Sequence, residues 1–512
     1  MGLDFFINGA AVSLGDHEIN PRMTLLDYLR TQPGLTGTKI SCVCLSRLLP
    51  SEPLPTDEPR ACGGRAGARP RAASGDGRGG GRSVSCPAIL SASPLRPSPP
   101  SLPCMHNALP EKVRDSLTRD DDIHHRAKAD VARAPSCSPS STRRVSCPTP
   151  SLKRLSNAQA LSHTFFLDAA ASTVENYSVN ACLRPLLSMS GMQVTTTEGI
   201  GNSVDGYHPV QERIAECNGT QCGFCTPGHV MAMYSLLREQ PGKALSPGEI
   251  EERFDGTICR CTGYRPIMTA CHSFASEGVP GEEEKIEGLA VKDWKEYDPA
   301  SEPTVPEAVA SPTCGYAVTV EGLEWVQATS LANVGEIQKA AGDKPLKLLC
   351  GNTSTGPWGQ DDTTQVFVDI SAVPELAGVA MSADGLTCGA TTTISALIAA
   401  LMANAEKSTS YTVLVDHMKK VANWQVRNVG SWAGNLVMAK TKHFSSDIAT
   451  LMMGAGATLK ILSGGATKEV DIKTFLWESD DMGSDVILSI TIPVLAKDVS
   501  TQAIPTTTVG DL

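Results

Sequence analysis

Two tight cysteine pairs, Cys222-Gly-Phe-Cys225 and Cys259-Arg-Cys261, constrain this chain more than any other feature. Each pair is pre-assembled by the chain itself, and folding has only to bring the pairs together across the 33 residues between them. Four thiolates close either a tetrahedral zinc site or a two-iron, two-sulfur cluster, and ligand count does not choose. The single residue between Cys259 and Cys261 is unusual for zinc ribbons, which place two to four residues there. The bland alternative is a chance grouping of core cysteines. The chain holds 17 cysteines, and in a reducing compartment close pairs are metal or redox ligands rather than disulfides.

Helical signals surround the quartet and define a domain at 204–278. Pro209 stands near a helix start with Val210 and Ile214 four apart, and Val230, Met233 and Leu237 mark a second helix. Ser246-Pro-Gly-Glu249 is a capping box that opens a third, and Ile267, Ala270 and Phe274 share a face of a fourth. Upstream, Phe5-Phe-Ile-Asn-Gly9 reads as a strand and turn with Val12–Ile19 returning, followed by a short helix over Met23–Arg30. Tyr177–Cys182 and Met192–Thr197 read as further strands, so 1–44 and 160–203 form one small β-rich domain interrupted in its middle.

The interruption, 45–159, is of another character. Residues 45–156 carry 18 Lys/Arg against 10 Asp/Glu, leaving 26 against 45 elsewhere, and hold 16 of the 34 prolines. With no hydrophobic period, this basic Pro/Gly/Ser-rich insert reads as disordered. An acidic linker follows at 279–314, then alternating strands and helices from 315 to 512 that read as an α/β domain. The whole is α+β and multidomain.

Gln221-Cys-Gly-Phe-Cys-Thr-Pro-Gly228 with Cys259-Arg-Cys-Thr-Gly-Tyr-Arg-Pro266 resembles the second iron–sulfur domain of the xanthine dehydrogenase/aldehyde oxidase family, the molybdenum hydroxylases. Phe6-Ile-Asn-Gly9, Gly37-Thr-Lys39, Asn180-Ala-Cys-Leu183, Val194–Ile200 and His208–Arg213 continue the pattern. The resemblance implies a ferredoxin-like β-grasp domain, a four-helix [2Fe-2S]-binding domain with Cys222, Cys225, Cys259 and Cys261 as ligands, and a PCMH/VAO-type FAD-binding domain, incomplete at its C-terminus. In the first of these it implies Cys42 and Cys182 as ligands of another cluster. The insert replaces the rest of that ligand loop, so this cluster is expected not to assemble; two ordinary buried cysteines are the alternative.

Two loops carry the flavin expectation. Leu349-Cys350-Gly351-Asn352-Thr353-Ser354-Thr355-Gly356 follows a strand, and successive backbone N–H groups in such a turn form an anion nest. Ser431-Trp432-Ala433-Gly434-Asn435 offers small residues for close backbone approach, and Asp447 follows. Taken alone, a plain strand-end turn looks the same. The resemblance assigns both loops, Asp447 and Ile487 to FAD. Val421 stands where it expects an aromatic residue, and the chain stops before a basic flavin residue, which predicts reduced FAD affinity.

Net charge −11 excludes non-specific nucleic-acid binding, and no stretch is long and apolar enough to span a membrane. The start lacks a secretory pattern, so a cytoplasmic protein is expected. No catalytic triad or metal-bound water constellation is visible, and His208, His229 and His443 read as structural. The resemblance implies electron transfer from a molybdenum site through [2Fe-2S] to FAD, with NAD or oxygen as acceptor. The molybdenum catalytic domain would be absent, a molybdenum-cofactor subunit is a candidate partner, and homodimerisation is implied by resemblance. The alternatives are the small subunit of a heteromeric enzyme and a non-catalytic metal-binding fragment.

Overall fold

Leu3, Phe5 and Ile7 alternate inward along β1 (Leu3–Ile7), the period expected of a strand with one buried face. Asn8 and Gly9, both at positive φ, turn it into β2 (Ala10–Leu14). The computed structural model describes residues 3–15, 18–39, 161–168, 173–276, 294–303, 315–478 and 482–495. Cys42 and the basic insert 45–159 lie outside the described residues. Helix α1 (Leu25–Leu29) starts in a capping box between Thr24 and Asp27. Strands β3 (Leu161–Asp168), β4 (Thr173–Asn180) and β5 (Gln193–Thr195) complete a sheet of order β2-β1-β5-β3-β4, with β1 and β5 parallel.

The quartet domain is built around α3 (Thr226–Glu239), in which 12 of 14 residues are buried. Such a helix is the centre of its domain rather than a surface element. Helix α2 (Pro209–Glu216) packs on it and on α5 (Arg265–His272), and α4 (Pro247–Glu251) begins with the sequence-predicted Ser246–Glu249 capping box. Residues 294–303, within the stretch read as linker, dock here. Trp294 and Tyr297 pack on the helical core. The buried Glu302 carboxylate lies 2.9 Å from His208 Nε2 and accepts from Tyr234 Oη at 2.7 Å.

Among the described residues from 315 onward there are two sheets. Strands β6 (Ala317–Val320), β7 (Leu323–Gln327), β8 (Leu346–Leu349) and β9 (Val366–Asp369) run in the order β6-β7-β9-β8; β7, β9 and β8 are parallel, with α6 (Leu331–Ala341) crossing between β7 and β8. The second sheet is antiparallel: β10 (Val379–Met381), β11 (Leu386–Gly389), β14 (Val486–Ile492), β12 (Thr458–Ser463) and β13 (Ala466–Asp471). Helices α7 (Ile394–Ala403), α8 (Thr409–Met418), α10 (Trp432–Lys442) and α11 (Asp447–Gly454) cover it, while the short α9 (Trp424–Arg427) packs on β4 of the N-terminal sheet. One face of the first sheet shares a core with the N-terminal domain. Tyr316, Trp325, Leu349 and Phe367 pack with Leu25, Leu29, Leu186 and Val194.

Candidate cofactor sites

The quartet loops lie at helix starts. Cys225 is the N-cap of α3, with Pro227 in its first turn, and Tyr264, at φ +69°, caps α5 just after Cys261. The four thiols are free and gather as two pairs, Cys225 with Cys259 and Cys222 with Cys261. The first pair is buried and the second exposed. Among the described residues no group of three or more His, Cys, Asp or Glu side chains is arranged around one metal ion. A two-iron cluster takes two thiolates on each iron. The paired donor set therefore fits the two-iron cluster.

Neighbours of the thiols tune them unequally. Burial, reinforced by Cys259, pushes the Cys225 thiol up. Burial acts in the same direction on Cys259, but the Thr262 hydroxyl, 3.0 Å from Cys259 Sγ, and the Thr262 N–H donating to that sulfur at 3.4 Å bring its pKa below the ordinary thiol value. Cys259 N–H donates to Tyr264 Oη at 2.8 Å, and that hydroxyl donates to the Thr257 carbonyl. Hydrogen bonds to cluster sulfurs shift reduction potential, so Thr262 belongs to the site although the cysteine spacing alone did not single it out. His229, fully buried beside Phe254, lies with Nδ1 3.0 Å from the Cys225 carbonyl oxygen.

The two flavin loops meet. Gly351, at φ +78°, is so close to the Val429 carbonyl that a Cβ would overlap it. A Cβ on Gly430 would in turn lie 3.1 Å from Thr353 Oγ1. Asn352 also sits at positive φ, which turns the chain after Gly351. Ser431 caps α10 by accepting from Gly434 N–H at 3.0 Å. Ser446, the N-cap of α11, hydrogen-bonds Asn435, so Asp447 in the first turn of α11 joins the same rim. Helix starts and open turns of this kind favour a pyrophosphate.

The remaining assignments divide by side chain and backbone. Trp432 is fully buried, and its indole N–H donates to the Gly389 carbonyl at 2.9 Å, so its ring belongs to the core. Ile487 and Leu349 are buried too, leaving only their backbone for a ligand. Cys350 is half-buried against the Thr391 carbonyl, and burial pushes its thiol up to about 12. Thr353, Ser354, Thr355 and Gly356 are partly exposed on the loop. Cys182 is half-buried against the N-terminal core, and Leu183 beside it touches the flavin loop: Asn352 Nδ2 donates to the Leu183 carbonyl at 3.4 Å.

A cluster-binding helical domain joined to an FAD-type α/β domain defines an iron–sulfur flavoprotein class. The family model for the [2Fe-2S] binding domain matches residues 196–272, and that for the FAD binding domain in molybdopterin dehydrogenase matches 319–495. Abscisic-aldehyde oxidase of Arabidopsis thaliana is 36% identical over 342 residues, 64% of this chain and 26% of that protein. Probable aldehyde oxidase 4 of Oryza sativa subsp. japonica is 34% identical over 366 residues, 64% of this chain and 43% of that one. Over these stretches the chain is similar to the N-terminal type of portion of the xanthine dehydrogenase/aldehyde oxidase family. It matches 26% and 43% of the length of those two relatives. Among solved structures, carbon monoxide dehydrogenase from Hydrogenophaga pseudoflava is 20% identical with a TM-score of 0.30, covering 35% of this chain and 61% of that one. Quinoline 2-oxidoreductase from Pseudomonas putida 86 is 22% identical with a TM-score of 0.29 over the same shares. No helix among the described residues is long and apolar enough to cross a membrane.

Proposed function

We propose that this chain relays electrons between a [2Fe-2S] cluster on Cys222, Cys225, Cys259 and Cys261 and an FAD held by the loops at 349–356 and 431–435 with Asp447. The observation that carries this is the convergence, on one chain, of two thiol pairs and of two nest-like loops in direct contact. When bound, the cluster supplies one-electron chemistry and the flavin accepts electrons singly or in pairs. The chain's own work is to hold each group. The buried Cys225–Cys259 pair excludes water on one side, Thr262 lowers the charge density on Cys259, and Gly351 lets the two flavin loops close on one another. The N-terminal sheet of β1–β5 is read as a β-grasp domain and the region after 315 as PCMH/VAO-type. The substrate, an aldehyde or purine, would be oxidised on a molybdenum-cofactor partner, and NAD or oxygen would take the electrons from FAD.

The test is metal and flavin analysis of anaerobically purified protein, with its visible spectrum. About two irons per chain with flavin absorbance supports the relay. Zinc in place of iron, or absence of flavin, refutes it. About four irons would mean that a second cluster assembles despite the insert.

A further inference from the structure

We infer that Asp255 is a positioning residue for electron passage between the two cofactor sites, an inference that rests on the relay proposed above. Asp255 lies four residues before Cys259, and its carboxylate reaches out of the helical domain to α9. One oxygen is 2.7 Å from Arg427 Nη2. The other accepts the N–H of Trp424, the first residue of α9, at 2.9 Å. Arg427 is 3% exposed, and its second nitrogen donates to the Val421 carbonyl at 2.9 Å.

Helix α9 is a single turn and has no stability of its own. Its start depends on side-chain acceptors: Asn423 takes the Val426 N–H at 2.9 Å, and Asp255 takes that of Trp424. From Arg427 the chain runs directly into Asn428-Val-Gly-Ser431, the second flavin loop. Where that loop begins, Asn428 donates to the carbonyl of Ser178, four residues before Cys182, at 3.0 Å. Close approach of the two domains is permitted by Gly256, where a Cβ would lie 2.6 Å from Gln425 Oε1 and 2.8 Å from Asn423 Cβ. The Arg253 guanidinium stacks 3.5 Å from the Trp424 ring.

One ionised carboxylate thus clamps the segment that becomes the flavin loop onto the segment that becomes the quartet loop. Without it, Arg427 keeps the Val421 and Ala422 carbonyls and the Trp424 ring but no anionic partner, and α9 loses an N-terminal acceptor. The flavin loop then moves against the cysteines with no ligand altered. The exposed Lys419–Glu252 pair, 3.1 Å apart, joins the same two domains but is screened by water and contributes little.

The experiment uses the full chain as purified, with Asp255→Ala, Asp255→Asn and, as control, Glu252→Gln. Iron and flavin content, amide exchange and the rate of flavin bleaching after flash reduction of the cluster by photoreduced deazaflavin are measured. In Asp255→Ala, iron and flavin contents stay at the wild-type level. Exchange at Val426–Gly430 accelerates, and flavin bleaching slows severalfold as the flavin loop shifts relative to the cysteines. Asp255→Asn keeps an acceptor and falls between, and Glu252→Gln matches the wild type. Wild-type bleaching in Asp255→Ala overturns the inference and leaves the relay standing. Loss of iron in that variant also overturns it, since Asp255 would then serve cluster assembly. A wild-type chain lacking either cofactor overturns the relay and this inference together.

Discussion

Substituting Gly351 by alanine separates two costs that the structure places at one residue. The first is conformational: at φ +78° an L side chain is strained, which costs roughly 1 kcal/mol. The second is steric. The added Cβ overlaps the Val429 carbonyl, which is backbone and cannot swing aside, so the loops must part at about 1–3 kcal/mol. The sum, ~2–4 kcal/mol, is large against typical domain stability. Gly322, in the turn between β6 and β7, isolates the first cost: its φ is +81°, yet nothing lies within 4 Å of its Cβ position. Urea unfolding followed by tryptophan fluorescence should show Gly322→Ala destabilised by about 1 kcal/mol and Gly351→Ala by at least about twice that. Only the second should lose bound flavin. Equal destabilisation, or full flavin content in Gly351→Ala, would refute the claim that contact between the loops builds the site.

Three further outcomes are expected. In metal-free protein the exposed Cys222 and Cys261 should be alkylated before the buried Cys225 and Cys259, read by mass spectrometry of peptides after timed labelling. Trp432→Phe removes the indole donor to the Gly389 carbonyl, which keeps the Thr392 N–H at 3.0 Å, so the loss is that of one buried hydrogen bond, about 1 kcal/mol by chemical denaturation. Glu249 is held down to about 2 by the hydrogen bond from Lys243, with the Ser246 amide and hydroxyl adding to it. A carboxylate whose folded pKa is depressed stabilises the fold fully above its ordinary 4.5 and loses that contribution as pH falls toward 2. The stability difference between wild type and Glu249→Gln should therefore shrink across that window; the group is solvent-exposed, so the difference is under about 1 kcal/mol.

Features confined to a few residues were legible in the sequence. The Ser246–Glu249 capping box, the turn at Asn8-Gly9 and the alternation in β1 each depend on neighbours within one turn or one strand, where local sterics and hydrogen bonding decide the outcome. The cysteine spacing likewise named the quartet, because each pair is assembled by the backbone itself. What the sequence left open was how the four thiols divide. Their grouping across 33 residues, as one buried and one exposed pair, follows from α2 packing on both α3 and α5. Trp432 falls in the loop that the resemblance assigns to FAD, while its ring is expected to serve packing, and the structure puts that ring in the core with its N–H on the Gly389 carbonyl.

The sequence by itself thus determined the candidate ligand cysteines, the two candidate loops and the local elements around them, since these are written in spacing and local chemistry. Tertiary structure alone decided that Gly351 meets Val429, that 294–303 docks on the helical domain, and that Asp255 grips Arg427 across 172 residues. No local pattern encodes such encounters. They arise when separate apolar faces are buried together, and the polar groups caught between them must find their partners from whatever chain lies opposite.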